Sequence, residues 1–126
     1  YEINAENPEY DNILDILGQN NISIDLINVF PNEKIFTIDD QDKYLVYDLL
    51  NNINIKYNKV EKCSKIAVVG SGMKGVPGVM ARILSTLRRE KIQVLQTADS
   101  HMTIWCLVNS CNTEKAIIAL HNEFHL

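Results

Sequence analysis

The chain has 126 residues, a hydrophobic fraction of 46% and a formal net charge of -4. That length suits one compact domain or two very small ones, and half of it is about the smallest size that buries a core alone, so two half-domains would lean on each other. The acidic balance, with basic residues scattered apart from Arg88, Arg89 and Lys91, lacks the basic stripe that nucleic-acid binding uses to displace counterions from phosphates.

Residues 1–5 alternate weakly and read as a strand. Asn7 and Pro8 form an N-cap and N1 pair. Tyr10, Ile13, Leu14 and Leu17 then fall at helical spacing on one stripe, with Gly18 placed to close the helix. Residues 22–30 are rich in β-formers, and strict alternation puts Ile22, Ile24 and Leu26 on one face and Ser23, Asp25 and Ile27 on the other. Pro31 and Asn32 turn the chain into a second strand over 34–38, so a hairpin is expected. Asp39, Asp40 and Asp42 bring negative charge to a helix start, and Val46, Leu49, Leu50 and Ile53 form its stripe. Residues 54–60, with Ile55 and Tyr57 on one face, read as a last strand. The first half is therefore β-α-β-β-α-β.

The second half begins in the same way. Residues 65–70 form a buried-looking strand, and Pro77 opens a helix with Met80, Ile83, Leu84 and Leu87 as its stripe. Strands over 92–98 and 103–108 flank a turn at 99–102. Asn112 caps a final helix with Ile117, Leu120 and Phe124 inward. The run 21–27 corresponds to 91–97, and an internal repeat outranks any local motif as a guide to architecture. The expected modules are 1–61 and 62–126. The second stops at its last helix, so its sheet lacks a fourth strand and has an open edge that seeks a partner. The chain begins at Tyr1, without Met and inside a strand-like run. We read it as a piece of a longer protein, with the missing strand supplied from before Tyr1.

There is no apolar run long enough for a membrane span and no visible signal peptide. Cys63, Cys106 and Cys111 are an odd set without a C-x-x-C pair, which argues against a disulfide framework or a zinc site. Buried or half-buried thiols and a cytoplasmic location are expected.

Four features bear on chemistry. Gly70 to Gly75 fits G-x-G-x-x-G between a strand and a helix, as a dinucleotide fingerprint does. Pro77 defers the helix start past the third glycine, the following strands look like a hairpin, and too little chain follows for a doubly wound sheet. Two uses remain for the loop: holding an anion on its backbone N–H groups, or simply connecting strand to helix. Asp99, Ser100 and His101 carry the letters of a hydrolytic triad, but adjacent side chains point apart, so a polar turn is expected. His121 and His125 share a helix face without a third ligand, which reads as a solvated face. Asp25 interrupts an apolar strand. It belongs either to an exposed sheet face or to a covered position, where it would anchor a ligand's ammonium group with Ser23 and Asn28 adding hydrogen bonds.

The run from Lys65 through Gly70, Gly72 and Gly75 to Met80 resembles the second ACT module of aspartate kinases. So do the stretches from Gln96 to Trp105 and from Ala119 to Phe124. Residues 21–27 are similar to the effector-binding strand of the first module. The resemblance covers essentially the whole chain. The Gln-Thr-Ala-Asp-Ser-His stretch at 96–101 looks closest to the diaminopimelate-sensitive Gram-positive type, whereas more familiar members carry Ser-Thr-Ser-Glu there.

The resemblance implies an α+β fold of two ferredoxin-like ACT modules with antiparallel sheets and helices on one face, the second module being completed by a strand ahead of the first. It implies a regulatory part of an ATP-dependent kinase acting on the aspartate carboxylate, without catalytic residues, cofactor or metal of its own. An end-product amino acid (lysine, threonine or diaminopimelate) would bind at ACT interfaces, and the modules would associate side by side as homodimers. By position Ile3, Ala5, Glu6, Asn7, Ser23 and Asp25 match the first-module effector pocket, with Asn28 beside them; Gln93 and Val94 match its second-module side. On this reading Asp25 takes the effector ammonium, and backbone donors near Glu6 and Asn7 take its carboxylate. The rivals are a nucleotide-binding enzyme fragment using the Gly70–Gly75 loop and a ferredoxin-like assembly module without ligand.

Overall fold

The computed structural model describes residues 1–7, 9–70, 78–100 and 102–124. The chain divides into two compact units, Tyr1–Val60 and Glu61–Leu126. The first contains β1 (Glu2–Asn4), α1 (Ile13–Gln19), β2 (Ile24–Val29), β3 (Glu33–Ile38), α2 (Lys43–Asn52) and β4 (Tyr57–Asn58). Its sheet runs β2-β3-β1-β4, with every pairing antiparallel. The second contains β5 (Cys63–Val69), α3 (Val79–Arg89), β6 (Gln96–Asp99), β7 (Thr103–Asn109) and α4 (Thr113–Phe124). Its sheet runs β5-β7-β6, also antiparallel. The expected α+β ferredoxin-like order is present in both, and among the described residues β5 forms one edge of a three-stranded sheet. Short 3-10 turns lead into α1, α2 and α4.

Each unit has its own core. Ile3, Ile13, Leu17, Phe36, Val46 and Leu50 form the centre of the first. Ile66, Val68, Ile83, Leu87, Cys106, Val108 and Leu120 form that of the second. Here the predicted helix stripes meet the buried row of each sheet, as two packed layers require. The repeat holds in register. Ile3 pairs with Lys34 as Val68 pairs with Ile104, and Ile27 with Phe36 as Thr97 with Cys106. From α1 onward, equivalents therefore stand 70 positions apart: Leu17 and Leu87, Phe36 and Cys106, Leu50 and Leu120.

The helix ends show why Gly18 does not close α1. Gly18 lies inside the helix, and the end is made by Asn21 at φ 59°. Asn21 donates its N–H to the Gly18 carbonyl at 3.1 Å, and Ile22 donates to the Leu17 carbonyl at 3.0 Å. This is a Schellman ending, in which a left-handed residue frees two backbone donors for orphan carbonyls. Lys91 repeats it after α3 at φ 58°, with Ile92 donating to the Leu87 carbonyl at 3.0 Å. Asn54 (φ 57°) ends α2 in the same way.

Other expectations shift. The strand expected over 54–60 forms a ladder only at Tyr57–Asn58, and the one over 92–98 only at Gln96–Asp99. In α4, Ala116 rather than Ile117 faces inward, with Leu120 and Phe124; Ile117 is 50% exposed. Asn112 lies in the 3-10 turn before that helix. Cys106 is buried and Cys63 half-buried, and burial pushes both thiols up. Cys111 is exposed, against expectation. The helix starts expected at Pro8 and Pro77 lie outside the described residues; α3 begins at Val79 after Gly78 at φ 80°.

Candidate functional site

The hairpin of β2 and β3 carries the feature that alternation missed. Ile24 pairs with Ile38, but the next partner of β3, Phe36, faces Ile27. Two residues, Asp25 and Leu26, thus stand opposite Thr37, and the Leu26 N–H donates to Thr37 Oγ1 at 2.9 Å. This is a β-bulge, a device that re-aims side chains at sheet edges. It also moves Ile27 onto the row of Ile24, opposite Phe36, because cross-strand partners share a face. Asp25 is exposed rather than covered, with Ser23 exposed and Asn28 half-buried. The second unit repeats the bulge: the Leu95 N–H donates to Leu107 O at 2.8 Å while Gln96 pairs with Leu107. The equivalent of Asp25 there is Leu95, so the bulge does not need the carboxylate.

The loop after β1 is tightly bonded. The Ala5 N–H donates to Asn32 O at 2.8 Å, the Glu6 N–H to Asn4 Oδ1 at 2.9 Å and the Asn7 N–H to Asn4 O at 3.2 Å. The Asn7 amide clips this loop to the chain ahead of β4. Its Nδ2 donates to Asn4 O at 2.8 Å and Lys56 O at 3.0 Å, and its Oδ1 accepts from the Lys56 N–H at 2.7 Å. The backbone donors assigned to a ligand carboxylate therefore already have acceptors within the unit. Ile3 is in the core and offers no side chain to a ligand.

The two halves of the expected pocket also lie apart. Asn4 pairs with Glu33, whereas Asp25 stands opposite Thr37. Four residues of strand span about 13 Å, and β2 and β1 are separated by β3. Within one copy, Asp25 sits at the far end of the sheet from the Ala5–Asn7 loop. In the second unit Gln93 is exposed ahead of β6, and Val94 packs on that unit's core.

One residue at the loop end was not anticipated. Lys34 lies on the buried row of β3 with Phe36 and is only 7% exposed. Its Nζ donates to Tyr10 O at 2.7 Å and sits 4.1 Å from the centre of the Tyr10 ring. Tyr10 in turn donates its hydroxyl to Phe30 O at 3.2 Å. Strand alternation carried this signal, since Lys34, Phe36 and Ile38 share one face.

Among the described residues the remaining motifs form no site. The Gly70 N–H donates to Met102 O at 3.0 Å, and residues 71–77 lie outside the described residues, so the anion reading of that loop does too. An antiparallel β5-β7-β6 sheet is not the parallel one a dinucleotide fold requires. Ser100 donates to Thr103 O at 2.8 Å in the expected turn; His101 and His125 lie outside the described residues. Among the described residues no group of three or more His, Cys, Asp or Glu is arranged to hold a metal, and no helix is long and apolar enough to cross a membrane.

This architecture, repeated, matches known proteins. Residues 58–122 match the ACT domain family, and the chain belongs to it. Aspartokinase 1 of Bacillus subtilis (strain 168) is 37% identical over 105 residues, 83% of this chain and 26% of that protein. The chain thus spans about a quarter of that relative. Among solved structures, the alpha and beta subunits of an aspartokinase give a TM-score of 0.87 at 25% identity, covering 99% of this chain and 90% of that one. The ligand-free regulatory subunit of aspartate kinase from Thermus thermophilus gives 0.83 at 19% identity, with the same coverage. The chain corresponds to the ACT regulatory region of aspartate kinases.

Proposed function

We propose that this chain senses an end-product amino acid (lysine, threonine or diaminopimelate) and passes feedback inhibition to an aspartate kinase catalytic domain. The observation that carries this reading is Asp25: an exposed carboxylate on the bulge of an edge strand, where the equivalent bulge of the second unit has Leu95. A carboxylate where the repeat carries an aliphatic residue is suited to a ligand's ammonium group.

The distance within one copy argues for a site shared between two. Pairing two first units side by side through β2, about a two-fold axis, runs the two edges antiparallel. The start of one β2, with Asp25, then faces the end of the other. That edge also exposes Val29 (62%) and Ile27 (40%), apolar surface of the kind an interface covers. An effector that binds only the paired arrangement shifts the equilibrium toward it by its differential affinity, and this is the coupling that inhibition needs.

Isothermal titration with lysine, threonine and diaminopimelate tests the reading. One of them should give saturable heat, and Asp25→Ala should weaken it about tenfold or more, as loss of a charge-assisted hydrogen bond does. Unchanged affinity would remove Asp25 from the site. Self-association without response to any amino acid would favour a module that serves assembly alone.

A further inference from the structure

We infer that Lys34 is a group that receives the ligand's carboxylate, beside a loop whose Ala5–Asn7 backbone donors already have acceptors within the unit. The inference rests on the amino-acid-sensing reading above. An ammonium group has three N–H donors. Lys34 gives one to Tyr10 O at 2.7 Å and turns toward the Tyr10 ring. Among the described residues no carboxylate forms an ion pair with it. A cation that is 7% exposed, with a carbonyl and a ring beside it but no counter-ion among the described residues, gains from an arriving anion.

The repeat does not carry this cation. At the equivalent place in the second unit, opposite Val68 as Lys34 is opposite Ile3, stands Ile104, which is buried in the core. An aliphatic residue therefore satisfies the packing, and the charge has another use. Its location fits that use. Lys34 pairs with Val29 at the end of the edge strand and follows Glu33, the partner of Asn4, so it sits at the loop end of the sheet. In the two-fold pairing, Asp25 of a second copy arrives at that end. An amino acid then meets a cation from one copy and an anion from the other, which matches its own zwitterionic head. Tyr10 orients the ammonium through its carbonyl and ring, and the hairpin holds Tyr10 through Phe30 O.

The test compares each amino acid with its carboxamide, which keeps the ammonium and removes the negative charge. Wild-type chain should bind the free acid roughly tenfold or more tightly than the amide, the scale of a charge-assisted hydrogen bond. In Lys34→Met the acid should weaken to the level of the amide, while the ligand-free melting temperature is kept or raised. Lys34→Arg should retain the preference, and Lys34→Gln serves if the methionine variant does not fold. A folded, uncharged variant that still prefers the acid by the wild-type factor overturns the inference. If no amino acid binds wild-type chain, the sensing reading fails by itself. Lys34 is then judged by acetate against acetamide in thermal melts: acetate should raise the melting temperature of wild type but not of Lys34→Met, and equal responses overturn the assignment.

Discussion

In the first unit Asp25 and Lys34 occupy positions that the second fills with Leu95 and Ile104. The pairing of three strands, the bulge and the left-handed ending of the first helix are otherwise shared, so the pair of units acts as an internal control. What both have, such as the bulge and the left-handed residue after the first helix, belongs to the architecture. What only one has needs another explanation, and the two charges meet that description. The cores differ in the same informative way: Phe36 fills the centre of the first unit where Cys106 fills the second.

That difference predicts the largest effect. Phe36→Ala should cost about 3–5 kcal/mol, because a fully buried aromatic leaves both lost transfer energy and a cavity. Cys106→Ala removes a single sulfur and should cost far less. Urea melts of both variants check this, and equal losses would break the comparison. Next comes Asn7→Ala, which deletes a clip of three hydrogen bonds that ties the loop after β1 to itself and to Lys56. Loss of roughly 1–3 kcal/mol is expected, since the Lys56 backbone groups lose their partner. Amide exchange at Lys56 should rise.

Lys91→Gly should stabilise by up to about 1 kcal/mol, because glycine adopts φ 58° without a Cβ penalty. Asn21→Gly should gain less, as asparagine tolerates that conformation better. Paired thermal melts sharpen the contrast.

The smallest expected effects are opposite responses to acid. In the second unit Glu123 accepts from Arg82 at 2.8 Å and from Arg89 at 3.0 Å, and these bonds hold its carboxyl below the usual value of 4.5. Its contribution is present above the unfolded value and is lost as pH falls through the depressed one. In the first unit the side-chain hydrogen bond with Glu2 raises the Glu33 carboxyl. Its contribution is full below the unfolded value and is lost as pH rises through the raised one. The melting-temperature deficit of Glu123→Gln should therefore shrink below about pH 4. Any deficit of Glu33→Gln should appear only at low pH and vanish at neutrality.

Much of the fold was legible because helical stripes and the repeat are carried by large apolar residues at fixed spacing. Ile13, Leu17, Val46 and Leu50 needed no tertiary information. The bulge at Asp25–Leu26 escaped because alternation counts residues, whereas register counts hydrogen bonds with the neighbouring strand. Ala116 was passed over for Ile117 because its small side chain gives a weak apolar signal. The Asn21 and Lys91 endings escaped because left-handed conformations advertise themselves mainly through glycine, which drew the reading to Gly18. At the site, Asp25 was legible as an anomaly. That the loop donors at Glu6 and Asn7 are already bonded depends on Asn4, which no motif marked. Lys34 was readable in principle, as a cation on the row of Phe36.

Sensing of an amino acid at a site shared by two copies ties ligand binding to self-association. Sedimentation velocity over a concentration series, with and without lysine, threonine or diaminopimelate, tests it most directly. One of them should move dimer formation to lower protein concentration, and Asp25→Ala should abolish the shift. A monomer–dimer balance indifferent to all three would contradict it.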